Sequence, residues 1–192
     1  STGPESATMR TKGESANVMR NPGWQIAADA KKINPDLKVS ILRWRTPAWV
    51  KKDEDRYIWY KQSILAAYEK YGYMVDYINP NVNEAWSGAG DVKYTKKFAK
   101  WIAAESTATI KDEKALELFR KIKLVVSDEA NVVSDSVAET MKSDQEFMDA
   151  VDVVGYHYKT ADDNNGGMKW LAEVVDKEVW NSEEQATFSN SA

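Results

Sequence analysis

The sequence predicts an α/β protein built on a parallel sheet, and three observations carry that prediction. Five short apolar runs recur along the 192 residues. Amphipathic stretches with helical spacing fill the gaps between them. Polar and aromatic residues follow each apolar run where a strand would end. Strands alternating with helices give βαβ units, whose strands must lie parallel.

The first predicted strand is Leu37 to Trp44, bounded by Asn34-Pro35-Asp36 and Thr46-Pro47. The second, Met74 to Ile78, leads into Asn79-Pro80 as a loop. The third covers Ile122 to Ser127, the fourth Val151 to Tyr156, and the shortest, Glu178 to Trp180, leads to Asn181. Trp24, Ile26, Ala27, Ala30 and Ile33 mark one face of a helix before the first strand. Further helices are expected over Tyr57 to Tyr71, Tyr94 to Ala104, Ala115 to Arg120, Ser134 to Lys142, Asp144 to Asp149 and Gly167 to Val175. Nothing resembles a flexible linker, so residues 1–192 read as one domain, with loops at Thr107 to Glu113 and Ala161 to Gly167.

Composition narrows the function classes. Net charge is −4, from 26 basic and 30 acidic residues, with no long block of either sign. That argues against nucleic acid as a partner, which needs a basic stripe. Cysteine is absent and His157 is the only histidine, so thiolate chemistry and a multi-histidine metal site are excluded. No cofactor or metal is expected. No apolar run approaches the roughly 20 residues of a membrane span. The N-terminus lacks the regions of a signal peptide and an initiator methionine, as expected of a cut or processed chain. Eight Trp and nine Tyr bring aromatic residues to 11%, which mildly favours a sugar ligand, since aromatic faces stack on sugar rings.

The chemistry gathers at the strand ends, where parallel α/β folds place their active sites. The first strand runs into Trp44-Arg45-Thr46-Pro47-Ala48-Trp49, and the second into Asn83-Glu84-Ala85-Trp86. The third ends at Ser127-Asp128-Glu129, the fourth at His157-Tyr158, and the fifth at Asn181-Ser182-Glu183-Glu184. Asn83-Glu84 is the sharpest of these signals. An Asn-Glu pair just after a strand resembles the mark of the retaining clan of (β/α)8 glycosidases. Such chemistry needs one carboxyl that stays protonated to release a poor leaving group. It needs a second carboxylate about 5–5.5 Å away to attack the anomeric carbon. Glu183 or Glu184, three strands later, is the available partner. Asp128 is as readily structural as substrate-binding.

Seven segments in order resemble glycoside hydrolase family 59, the galactosylceramidase family. Gly3-Pro4-Glu5-Ser6 to Met9 is similar to its EPSH-M segment, and Ala30 to Pro35 to its AKKRNP helix end. Trp44 through Trp49 resembles the PWSFPGW loop, and Asp76-Tyr77-Ile78 with Asn83-Glu84 resembles DYIGIWNE. Val126-Ser127-Asp128 resembles ASD, Val151 to Tyr158 resembles VDVIGAHY, and Trp180 to Glu184 resembles WSSED. Val82 departs from the family Trp before Asn-Glu, and Lys159 from the family Pro after His-Tyr.

The resemblance implies a retaining β-glycosidase without cofactor, acting on a terminal β-galactoside of a carbohydrate or glycolipid. Glu84 would be the acid/base. Glu183 would be the nucleophile, preferred because Glu184 falls where the family has Asp. Asn83 would contact the sugar 2-hydroxyl, and Trp44 would line the galactose pocket. His157 and Tyr158 would complete the substrate-binding set, with His157 beside the nucleophile. Tyr158 or Tyr156 would hydrogen-bond that nucleophile, the choice depending on strand register. The fold implied is a partial (β/α)8 barrel, about strands three to seven. Strands one, two and eight and the family's accessory domains would complete the parent chain, so the fragment alone is expected to be inactive. A secreted parent, or a lysosomal one in animals, is also implied. The alternatives are a catalytically inactive carbohydrate-binding barrel fragment, or a family-30-like β-glycosidase with another sugar specificity.

Overall fold

A computed structural model describes residues 4–129, 131–157 and 166–183. Along the chain run α1 (Pro22–Ile33), β1 (Ser40–Arg43), α2 (Asp53–Tyr71), β2 (Tyr77–Val82), α3 (Ala89–Ala104) and α4 (Glu113–Phe119). Then follow β3 (Lys123–Glu129), α5 (Asn131–Ser143), α6 (Gln145–Ala150), β4 (Val153–His157), α7 (Gly167–Glu173) and β5 (Glu178–Glu183). The sheet order is β1-β2-β3-β4-β5, the order of the chain itself. The strands are parallel, with helical connections between neighbours. This is the connectivity of part of a (β/α)8 barrel, as expected.

All five strands differ from the sequence reading in their bounds, most of all β1, β2 and β5. β1 is only Ser40–Arg43, shorter than the apolar run. β2 runs through Asn79-Pro80-Asn81, which the sequence reading makes a loop, and residues 78–81 are buried. Asn residues suit a buried strand here because their side chains join its hydrogen bonding, with Asn81 Oδ1 alone among the polar atoms of the two side chains left without a partner. Asn79 Oδ1 accepts the Asn81 N–H at 2.9 Å, and Asn81 Nδ2 donates to Thr95 Oγ1 at 3.0 Å. β5 continues through Glu183, well past its apolar start.

The described residues form two compact units, Ser1–Ile78 with Lys97–Ile122, and Asn79–Lys96 with Lys123–Ala192. In the first, Ile64, Ala67, Phe98 and Phe119 are wholly buried. The Phe98 ring meets those of Tyr57 and Tyr60 edge-on at 5.1 and 5.7 Å. Burying one such side chain contributes roughly 1.5–3 kcal/mol. α1 is started by the Asn21 side chain, which accepts the Gly23 N–H, and by Pro22 in the first turn. The face expected to be buried on α1 is partly wrong: Ile26 and Ile33 are exposed, and Ala28 is the buried position. α2 starts four residues before Tyr57, because Asp55 Oδ2 accepts the N–H groups of Lys51 and Lys52. It ends at Gly72, whose φ of 79° a side chain would resist.

In the second unit, Val126, Val137, Ala138, Met141, Phe147, Val154 and Leu171 make a closed apolar core. It joins β3 and β4 to α5, α6 and α7, leaving the strand ends to polar residues. Asp144 starts α6 by accepting the Phe147 N–H at 2.9 Å, which seats that ring in the core.

Candidate active site

The second unit brings Glu84, Asn83, Asp128, His157 and Glu183 to the ends of β2, β3, β4 and β5. Glu84 lies two residues past β2. Its N–H donates to the Asp128 carbonyl at 3.2 Å, and the Trp86 N–H donates to Glu129 Oε1 at 2.8 Å. The Asn83–Trp86 turn is therefore tied to the end of β3 at two points.

His157, on β4, is 1% exposed and sits among the carboxylates. Its Nδ1 is 3.1 Å from Glu84 Oε1 and 3.7 Å from Glu183 Oε2, while Nε2 is 3.9 Å from Asp128 Oδ1. Glu84, Glu183 and His157 each present an atom within 4.8 Å of the other two. Among the described residues this is also the group whose donor set could hold a divalent cation. Glu84 and Glu183 keep side-chain exposures of 29% and 39%, so both can reach a ligand.

Asn83 is 1% exposed, and neither its Oδ1 nor its Nδ2 has a hydrogen-bond partner. Leaving a buried amide unpaired costs about 1–3 kcal/mol, a cost a polar ligand would remove. The backbone is strained at the same place. Glu84, Ser127 and Asp128 have φ of 52°, 74° and 50°, in the left-handed region that non-glycine residues avoid. Such strain collects at functional sites.

Two β-bulges shape this end of the sheet. Ser127 pairs with Gly155 and Glu129 with Tyr156, so Asp128 is an extra residue on β3. Asn181 pairs with Tyr156 and Glu183 with His157, so Ser182 is an extra residue on β5. Each bulge shifts the facing side chains by one position.

Trp44 belongs to the first unit, is 48% exposed, and lines a cavity of about 1020 Å³ formed wholly by residues of that unit. Tyr158 lies outside the described residues, as does Glu184. Trp86 packs its ring against Phe147 beside the core. The sequence reading passed over Asn79, Gly155 and Ser182, which carry no chemistry of their own. A glycine inside a β-branched strand was the available signal, because it marks a close approach.

A parallel α/β chain with two carboxylates facing each other at its strand ends is the architecture of a barrel glycosidase. The chain belongs to glycosyl hydrolase family 59, whose family model matches residues 1–192. It is 25% identical over 184 residues to the galactocerebrosidase of Mus musculus, covering 91% of this chain and 23% of that protein. The galactocerebrosidase of Salmo salar is 27% identical over 185 residues, covering 91% of this chain and 24% of that protein. The chain thus spans about a quarter of the length of the curated relatives it matches. In fold it is similar to SrfJ from Salmonella typhimurium, with a TM-score of 0.64 and 17% identity, over 91% of this chain and 43% of that one. No described helix is long and apolar enough to cross a membrane.

Proposed function

We propose that the protein is a retaining β-glycoside hydrolase acting on a terminal β-galactoside, with Glu84 as acid/base and Glu183 as nucleophile. The observation that carries this reading is the approach of the two carboxylates, with oxygens within 4.8 Å of each other at their strand ends. Retention needs carboxyls about 5–5.5 Å apart, whereas inversion needs about 6.5–9.5 Å to admit a water. Oxygens this close support the first arrangement over the second.

In this mechanism the Glu84 carboxyl gives its proton to the glycosidic oxygen as the bond to the anomeric carbon breaks. A Glu183 oxygen forms the new bond to that carbon from the opposite face. Glu84, now a carboxylate, takes a proton from water as the water oxygen displaces Glu183. His157, buried between the two, fixes their orientation. Asn83 offers its unpaired amide to the sugar 2-hydroxyl, where a hydrogen bond strengthens as charge develops on the ring. Trp44 and Tyr158 are proposed as further sugar contacts. The galactosyl specificity, and a glycolipid aglycone, rest on the likeness to the galactocerebrosidases.

The test is made on the full-length protein with an aryl β-galactoside. Glu183→Ala should abolish turnover, and added azide should restore it with an inverted galactosyl azide as product. Glu84→Ala should spare substrates whose leaving group needs no proton. A Glu183→Ala protein that remains active would sink the assignment.

A further inference from the structure

We propose that Asp128 and Ser182 are positioning residues whose hydrogen bond across Gly155 sets the placement of Glu183 opposite Glu84. The proposal rests on the catalytic reading of those two glutamates. It is carried by the sheet register.

Ser182 Oγ donates to Asp128 Oδ1 at 2.5 Å, and the Tyr156 carbonyl lies 3.2 Å from the same hydroxyl. Asp128 and Ser182 are the extra residues of the two bulges, on β3 and β5, and β4 lies between them. The bond therefore passes over the middle strand. The residue beneath it is Gly155: a Cβ there would collide with Asp128 Oδ1 and lie 2.8 Å from Ser182 Oγ. Only glycine leaves space for the bridge.

The bulge at Ser182 decides which face Glu183 occupies. Paired residues of neighbouring strands share a face, and faces alternate along a strand. Trp180 pairs with Gly155 and Asn181 with Tyr156, so regular pairing would next place Ser182 beside His157. Glu183 would then turn to the other face, away from the imidazole. With Ser182 looped out, Glu183 pairs with His157 and its Oε2 comes within 3.7 Å of Nδ1.

Asp128 anchors the other side of the site. Its carboxylate is 3% exposed and also accepts Asn79 Nδ2 at 2.5 Å, while its carbonyl accepts the Glu84 N–H. One residue thus fixes the backbone of Glu84, and through Ser182 the register of Glu183. It makes these contacts with a φ of 50°, in the left-handed region.

The experiment compares Ser182→Ala, Ser182→Thr and Glu183→Gln in the full-length protein, using 4-nitrophenyl β-galactoside and crystal structures of the variants. Ser182→Ala should lower kcat by about 10- to 100-fold with KM within twofold, the size of loss a misplacement near 1 Å produces. Ser182→Thr, which restores the hydroxyl, should recover most of it. The Ser182→Ala crystal should show the β5 bulge relaxed and Glu183 moved away from His157. A Ser182→Ala structure with unchanged register and carboxylate spacing would overturn the proposal. An active Glu183→Gln would overturn the catalytic reading alone, because the register result stands apart from turnover.

Discussion

The two units each set acidic side chains among polar groups, and they do so in different ways. In the first, Glu105 is 7% exposed and receives the Tyr57 hydroxyl at 2.7 Å, Lys61 Nζ at 2.6 Å and the Thr109 hydroxyl. Every contact is a donor meeting an acceptor. In the second, Glu84 and Glu183 face each other across one imidazole, beside an unpaired buried amide and three residues in left-handed backbone. A cluster completed by its own protein is structural. The strained backbone and the unpaired Asn83 amide set the second cluster apart, because such features collect where a ligand binds.

Removing a carboxylate from each cluster should therefore cost different things. Glu84→Gln keeps the shape of the side chain but removes the proposed proton donor. Hydrolysis of alkyl β-galactosides should fall by about 10²–10⁴-fold, while the thermal midpoint stays level or rises, as when a strained site is relieved. A clear loss of stability would place Glu84 with Glu105 and erase the contrast. In the first unit, Lys61→Met leaves Glu105 buried without its cation. Breaking a buried pair on one side costs about 3 kcal/mol or more, to be read from urea unfolding with kcat/KM unchanged.

The same cluster fixes a pH dependence. Burial works most strongly on the Glu105 carboxyl and pushes it toward protonation. The hydrogen bonds from Lys61, Thr109 and Tyr57 outweigh that and hold it below its ordinary value of 4.5. A lowered carboxyl binds its proton less readily when folded than when unfolded. Its contribution is thus complete above the ordinary value, and is lost as pH falls below 4.5 through the lowered one. Urea midpoints measured downward from pH 6 should fall over that range, and fall less in Lys61→Met.

The sequence reading reached the α/β class and the parallel partial barrel, because these follow from apolar spacing, and the residues after each strand pointed to the region of the candidate site. It placed Glu84, Glu183 and His157 at strand ends, where they are found together. It missed what depends on register. Asn79-Pro80-Asn81 reads as a loop because its amides look hydrophilic until Thr95 and Asp128 are seen to pair them. Asp128 and Ser182 could not be recognised as bulges, since an extra residue shows only against a partner strand. Ile26 and Ile33 followed helical spacing onto an exposed face, because periodicity identifies an apolar stripe and not what covers it.

The smallest effect expected isolates the reason Lys61 matters. Lys121 Nζ lies 2.5 Å from Glu117 Oε1, as close as Lys61 Nζ lies to Glu105 Oε2 at 2.6 Å. The chemistry and distance are alike, and only the surroundings differ. The outer pair has side-chain exposures of 66% and 65%, the inner pair 12% and 6%. In water each exposed charge keeps its hydration when its partner is removed, so the pair gains little by forming. Lys121→Met should leave the urea midpoint within the scatter of repeats, while Lys61→Met shifts it clearly. Equal shifts would mean that contact distance, and not burial, governs these pairs. The paired cluster of the first unit would then owe its stability to something other than its seclusion from water.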